Sequence, residues 1–193
     1  MLGLKLPTDP RWANIAESNL EVILTDHAWC EQKAVTNALH IIIQNPEFDD
    51  LVVAMMEIAR EEMEHFKQVH EIILQRGYKF GREEKDDYVG ELFKFMRRGD
   101  GHAMSRVDRL LFAAVIEARS CERFKVLSDN IKDEELAKFY RGLMESEAGH
   151  YTTFLKFAKK YGEDIDVDTR WKEWLAHEAK VIASYGKTEK MHG

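Results

Sequence analysis

The 193-residue chain carries a net charge of −7, with 33% charged residues and only two cysteines, which fits one domain spanning 1–193 around a single core. The acidic balance excludes an indiscriminate electrostatic grip on nucleic acid, and no apolar run approaches the roughly 20 residues that a membrane-spanning helix needs. Without a C-x-x-C motif or an apolar, cleavable start, Cys30 and Cys121 read as small buried hydrophobes in a reduced, cytoplasmic setting, not as a disulfide framework.

The prolines stand at 7, 10 and 46, so everything after Pro46 is open to long helices. Asp9-Pro10 predicts a short helix over about 11–17. A first long helix is predicted over about 19–44, with Ile23, Leu24, His27, Glu31, Ala34, Ala38 and Ile41 recurring at three- and four-residue steps. Asn45-Pro46 ends it. A second, over about 48–76, stops at Gly77 and places Leu51, Met55, Ile58, Glu62, His65, Val69 and Ile73 on one face. A charged loop and a shorter helix over about 88–97 follow, broken by Arg98-Gly99-Asp100-Gly101. A third long helix is predicted from Ser105, with Asp108 as a capping-box partner, to about Asn130. The fourth runs from near Asp133 to Tyr161-Gly162, and a last amphipathic helix covers about 169–184. The polar tail from about 187 is expected to be disordered. The fold class is therefore all-α: a four-helix bundle with a crossover segment and extra short helices.

Polar residues on the apolar stripes carry the functional signal. Glu62-x-x-His65 and Glu147-x-x-His150 each place a carboxylate and an imidazole about one helical turn apart, where both can bind one metal ion. Glu31 lies 31 residues before Glu62, and Glu117 lies 30 residues before Glu147. Two helix pairs, each donating Glu and then Glu-x-x-His, form the pattern of bundles that hold two irons with four carboxylates and two histidines. Glu122 competes with Glu117 for the third-helix position but breaks the register, so Glu117 ranks first. A lone helix glutamate is usually solvated; four on apolar stripes in matching register point to metal. The oxygen-rich donor set of Glu31, Glu62, His65, Glu117, Glu147 and His150 favours Fe or Mn over Zn. His27, one turn before Glu31, reads as a packed core histidine or a support for that ligand.

The blocks Val115-Ile116-Glu117-Ala118-Arg119-Ser120-Cys121-Glu122-Arg123-Phe124, Asp26-His27-Ala28-Trp29-Cys30-Glu31, Glu61-Glu62-Met63-Glu64-His65-Phe66 and Ser146-Glu147-Ala148-Gly149-His150 give the chain a resemblance to a known family. From about residue 10 to 185 it resembles the tRNA 2-methylthio-isopentenyladenosine hydroxylases (MiaE). The resemblance implies a ferritin-like, non-haem di-iron monooxygenase. Such an enzyme takes two Fe ions, O₂ as co-substrate and two electrons from an electron-donor protein or reductase. Its substrate is the isopentenyl group of the modified adenosine beside the anticodon of tRNA. Gly149 departs from the long basic residue expected there.

Two other function classes fit the same helices: a ferroxidase or peroxide-scavenging di-metal protein, and a metal-free helical interaction module. For a tRNA substrate, the net acidity requires a local basic patch. Arg97, Arg98, Arg106 and Arg109, with Lys94, are the candidate contacts for anticodon phosphates, weighed against an ordinary solvated face.

Overall fold

The computed structural model describes residues 2–85, 87–97, 99–184 and 191, and among these all regular structure is helical. In chain order the elements are α1 (Trp12–Ser18), α2 (Leu20–Gln44), α3 (Asp49–Gln75), α4 (Asp87–Phe93), α5 (His102–Asn130), α6 (Glu134–Lys160) and α7 (Val167–Ser184). The bundle is made of two hairpins, α2 with α3 and α5 with α6, and the segment carrying α4 crosses from one to the other. Helix α7 packs along α5 and α4.

Local chemistry sets the helix ends. Asn45 closes α2, its side-chain amide donating to the Ile41 carbonyl at 2.9 Å. Gly77, at φ 72°, follows α3, with Gly77 N–H donating to Leu74 O and Tyr78 N–H to Ile73 O. This left-handed stop is one that glycine adopts without a Cβ penalty. Asp133 caps α6 by accepting from Leu136 N–H at 3.0 Å, while its other oxygen takes Arg76 Nη2 at 2.5 Å.

Two sequence-based boundaries are corrected. The crossover helix ends at Phe93 instead of continuing to Arg97, because α7 and α5 capture the backbone that follows. Arg170 donates to Phe95 O, Phe95 stacks on His177, and Arg97 N–H donates to Asp108 Oδ2. The third long helix begins at His102, not Ser105, with Gly101 as its N-cap at φ 91°. The expected capping box does not form. Asp108 is fully buried and instead accepts from Arg170 and from Trp174 Nε1. Of the tail expected to be disordered, residues 187–190, 192 and 193 lie outside the described residues. Met191 is buried, and its N–H donates to Asp26.

The core is divided. One apolar cluster gathers Ala38 and Ile41 of α2, Leu51 to Ile58 of α3, Val107 to Val115 of α5 and Phe154 to Ala158 of α6, together with Trp174. The other gathers Ile23 to Ala28, Val69 and Ile73, Phe124 and Leu127, and Leu136 to Leu143, closed by Trp12. Each long helix runs from one cluster to the other. The stretch in between is where α2 carries Glu31, α3 Glu62 and His65, α5 Glu117, and α6 Glu147 and His150. The polar residues therefore form a layer between two apolar plugs, sealed from water at both ends of the bundle.

Candidate metal centre

The four bundle helices bring all six predicted ligands together. Glu31, Glu62, Glu117, Glu147 and His150 are at most 5% exposed, and His65 is 8% exposed. Their donor atoms form two groups, each with all its atoms within 4.8 Å of one another: Glu31, Glu62, His65 and Glu147 in one, and Glu62, Glu117, Glu147 and His150 in the other. Glu62 and Glu147 belong to both, so two carboxylates are placed to serve two ions at once.

Both imidazoles turn Nδ1 inward. His65 Nδ1 lies 3.3 Å from Glu62, 3.5 Å from Glu147 and 3.9 Å from Glu31. His150 Nδ1 lies 2.8 Å from Glu62 and 3.6 Å from Glu147. The outer nitrogen of His150, Nε2, is 2.8 Å from Glu61 Oε2. A carboxylate behind the histidine fixes the tautomer and the ring plane, as outer partners of metal-bound imidazoles do. Glu61, one residue before Glu62, lies on the flank of α3, off its inner stripe. The unmet need of His150 for an outer partner is the signal that points to it.

The chain's own electrostatics show what the layer lacks. Among the described residues, no lysine or arginine pairs with these four carboxylates. Burial, then the charges of Glu62 and Glu147, pushes the Glu31 carboxyl well up, and burial with Glu147 beside it does the same to Glu117. Burial would also raise Glu62, but hydrogen bonding to His150 and His65 outweighs it and holds Glu62 low. Burial disfavours the charged form of His150, yet Glu147 and Glu62 overcome it and push the imidazole up to about 11. His65 is raised for the same reason. Without metal, then, protons on the two histidines and on Glu31 and Glu117 offset the charge. Glu147 Oε1 remains buried without a hydrogen-bond partner, and Glu62 Oε1 and His150 Nδ1 have only each other, 2.8 Å apart. Buried polar atoms left in that state are costly. Metal cations would take the place of those protons and meet the orphaned atoms, so this donor set fits a pair of hard or borderline divalent ions.

The competing residue on α5 is settled by its partners. Glu122 points away from the layer, accepting from Arg119 Nη1 at 2.8 Å and from Thr8. Arg119, fully buried, also holds Glu178 at 2.5 Å and the Leu6 carbonyl at 3.0 Å. His27 fills both of its expected roles. It stacks on Tyr140 with centroids 5.6 Å apart, and its Nε2 is 2.5 Å from Glu31. Gly149 is exposed, and a side chain there would meet open space.

The basic patch does not hold as a set. Arg106 is 6% exposed and donates to Tyr161 O and Glu163, closing the C-terminal end of α6. That is a structural task at the negative end of a helix, and it corrects the expectation that Arg106 faces phosphate. Arg97 pairs with Glu173 at 3.3 Å and Lys94 with Glu91. Arg98 lies outside the described residues. Arg109 has no carboxylate partner among the described residues; it donates to Asn37 Oδ1 at 3.3 Å and lies over the Phe93 ring.

The chain has relatives across its whole length. The family model described as tRNA-(MS[2]IO[6]A)-hydroxylase (MiaE) matches residues 2–193. A tRNA 2-(methylsulfanyl)-N(6)-isopentenyladenosine(37) hydroxylase of Pseudomonas putida is 36% identical, over 98% of this chain and 91% of its own length. A protein of the same description from Salmonella typhimurium is 28% identical, over 98% of this chain and 87% of its own. Among solved structures, a Synechococcus protein with aldehyde deformylating oxygenase activity superposes with a TM-score of 0.90 at 28% identity, covering 98% of this chain and 95% of that one. No described helix is long and apolar enough to cross a membrane. With the buried Glu/His layer in place and a match that runs from residue 2 to the last, the chain belongs to the tRNA hydroxylase family MiaE.

Proposed function

We propose that this chain hydroxylates the isopentenyl group of 2-methylthio-isopentenyladenosine next to the tRNA anticodon, using two irons held by Glu31, Glu62, His65, Glu117, Glu147 and His150. The observation that carries the reading is the pair of overlapping four-residue groups sealed between two apolar clusters, in a chain that belongs to this family. When bound, a di-iron centre would supply the O₂-dependent oxidation that places one oxygen atom into an allylic C–H bond. The other oxygen leaves as water, at the expense of two electrons and two protons from an electron-donor protein or reductase. The chain's own residues do the rest. Glu62 and Glu147 span the two groups, His65 and His150 present Nδ1 to them, and Glu61 and His27 orient His150 and Glu31 from behind. The apolar plugs exclude water, which protects a reactive centre from side reactions. Iron is preferred over Mn on the chemistry proposed; the donor set accepts either. tRNA as macromolecular partner and a cytoplasmic site of action follow from the same reading.

The test is to load the purified chain with iron and supply reductant, O₂ and tRNA carrying the isopentenylated nucleoside. The nucleosides released on digestion are then weighed. A nucleoside heavier by one oxygen is expected. Iron oxidation or peroxide consumption with the nucleoside unchanged would replace this reading with the ferroxidase or peroxide-scavenging one.

A further inference from the structure

Two openings lead from the surface to the polar layer, and they differ in chemistry. One is a narrow cleft of about 60 Å³ between α2 and α5, with α4 as its lip. Its walls are mainly apolar, Ala34, Val89, Phe112, Ala113 and Ile116, with Cys30 and Lys33 at the edge, the latter paired with Glu83, and of the six ligand residues Glu117 alone lines it. The other, about 490 Å³ and wider, lies against His65 between α3 and α6 and carries Gln68, Glu135 and Lys138 beside Phe139 and Leu143. A branched five-carbon chain, little larger than a leucine side chain, gains free energy only where apolar walls replace water.

The rim of the narrow cleft is equally specific. Asn37 lines it and accepts from Arg109. Arg109 in turn lies over the face of Phe93, with its guanidinium carbon 5.2 Å from the ring centroid. Phe93 is 37% exposed and meets Phe112 edge-to-face at 5.9 Å. An exposed aromatic ring beside a guanidinium with no carboxylate partner is the pairing that binds a splayed RNA nucleotide, the ring stacking on a base and the cation holding phosphate. Arg109 also lines a polar pocket with His40, His102 and Ser105, so an apolar slot and a polar pocket meet at one arginine.

We infer that the α2/α5 cleft receives the isopentenyl tail, with Glu117 at its inner end, while Phe93 and Arg109 at its rim hold the flipped-out nucleotide and its phosphate. This inference rests on the function proposed above. It adds the route, the determinants of tail length, and the placing of the substrate beside the group that contains Glu117 instead of the one that contains His65.

The test uses the full iron-loaded chain without reductant, so that nothing turns over, with isopentenyladenosine and adenosine as probes in equilibrium dialysis. Isopentenyladenosine should bind roughly a hundredfold more tightly than adenosine, the ratio for burying most of a five-carbon chain. Ala34→Phe, which fills the cleft, should erase that ratio while iron content and helicity stay at the wild-type level. Gly142→Leu, at the other opening where a side chain meets no neighbour, should leave it intact. Ile116→Ala guards against misfolding of the filled variant: by widening the cleft it should shift preference towards geranyladenosine. Arg109→Gln should raise the KM for a tRNA anticodon stem-loop about tenfold and the KM for the free nucleoside, which carries no phosphate, by less.

Loss of the binding ratio in Gly142→Leu, with Ala34→Phe and Ile116→Ala behaving as wild type, would move the tail to the α3/α6 opening and overturn the inference. In that case wild-type tRNA hydroxylation would persist and the proposed function would stand. A wild-type chain that neither binds the prenylated nucleoside nor hydroxylates tRNA would overturn both.

Discussion

Helix α5 carries two buried charge clusters within two turns, and they are built on opposite rules. Glu117 joins Glu31, Glu62 and Glu147, and among the described residues imidazolium is the cation that meets them. Glu122, five residues on, joins Glu178, Thr8 and Tyr88 around Arg119, whose guanidinium reaches two carboxylates and a backbone carbonyl. In the second, closed cluster carboxylates meet a guanidinium directly, though Glu178 Oε2 is left without a hydrogen bond, and the N-terminal segment and α7 are tied to α5. The first is open by design, because acids left unmatched inside a protein are a binding site for something positive that the chain does not itself contain. The contrast separates the proposed metal ligand Glu117 from structural charges on a single helix, and it can be broken from either side.

The largest effect is expected in the open cluster. Glu117→Gln should abolish hydroxylation and lose the ion shared by Glu62, Glu117, Glu147 and His150. It should not destabilise the metal-free bundle, since it removes one of four crowded acids. Metal content by elemental analysis and melting of the chelated protein check both halves. A Glu117→Gln chain with two irons and normal turnover would remove Glu117 from the site.

The closed cluster should behave oppositely. Arg119→Met leaves Glu122 and Glu178 buried without their cation and should cost about 3–5 kcal/mol. The protein that remains folded should keep its iron and its turnover number. Denaturant unfolding together with iron analysis reads both. If Arg119→Met loses metal at unchanged stability, the two clusters are not separate.

How much of this was legible in the sequence follows from what periodicity encodes. It reports which face of a helix is buried, so it found the four long helices and set Glu31, Glu62, His65, Glu117, Glu147 and His150 on inner stripes, where the structure groups them. It also separated Glu117 from Glu122, because five residues turn a helix by about 140°. It does not report which tertiary partner a charged residue meets. Arg106 looked like a free basic residue, yet it caps α6 from 55 positions away. Asp108 looked like a capping residue, yet the donors that claim it, Arg170 and Trp174, lie on α7. Glu61 looked solvated because its partner, His150, is on another helix.

Glu61 gives an intermediate effect. Glu61→Ala removes the outer partner of His150 without touching a ligand, and should weaken metal binding 10–100-fold, roughly the range for lost outer partners of metal-bound histidine. Competition with a calibrated chelator measures it. Affinity equal to wild type would reduce the 2.8 Å contact with His150 to a surface ion pair.

The smallest effect is one of pH, and its sign distinguishes the open cluster from the closed one. In the chelated protein, His150 is held up to about 11 against an ordinary imidazole value of 6.5, and His65, Glu31 and Glu117 are also raised. A raised folded-state value stabilises most below the unfolded value, and that stabilisation is lost as pH climbs through the folded one. Between about pH 6.5 and 8.5 the native chain therefore holds more protons than the unfolded chain, and its melting temperature should fall by several degrees. Glu62, held low, contributes a constant across that window, since both of its states are ionised there. Arg119 keeps its proton throughout, because burial is outweighed by Tyr88, Glu178 and Glu122, which raise a guanidinium that is already charged across that window. Loading the site with iron(II) under anaerobic conditions replaces the extra protons with metal, and the slope should vanish or reverse because the ligands now bind as bases. Thermal melts in chelator and in iron(II) across that window decide the matter. A chelated protein with a flat profile, or one whose slope metal leaves unchanged, would show that the buried acids are not held neutral by protons that metal displaces.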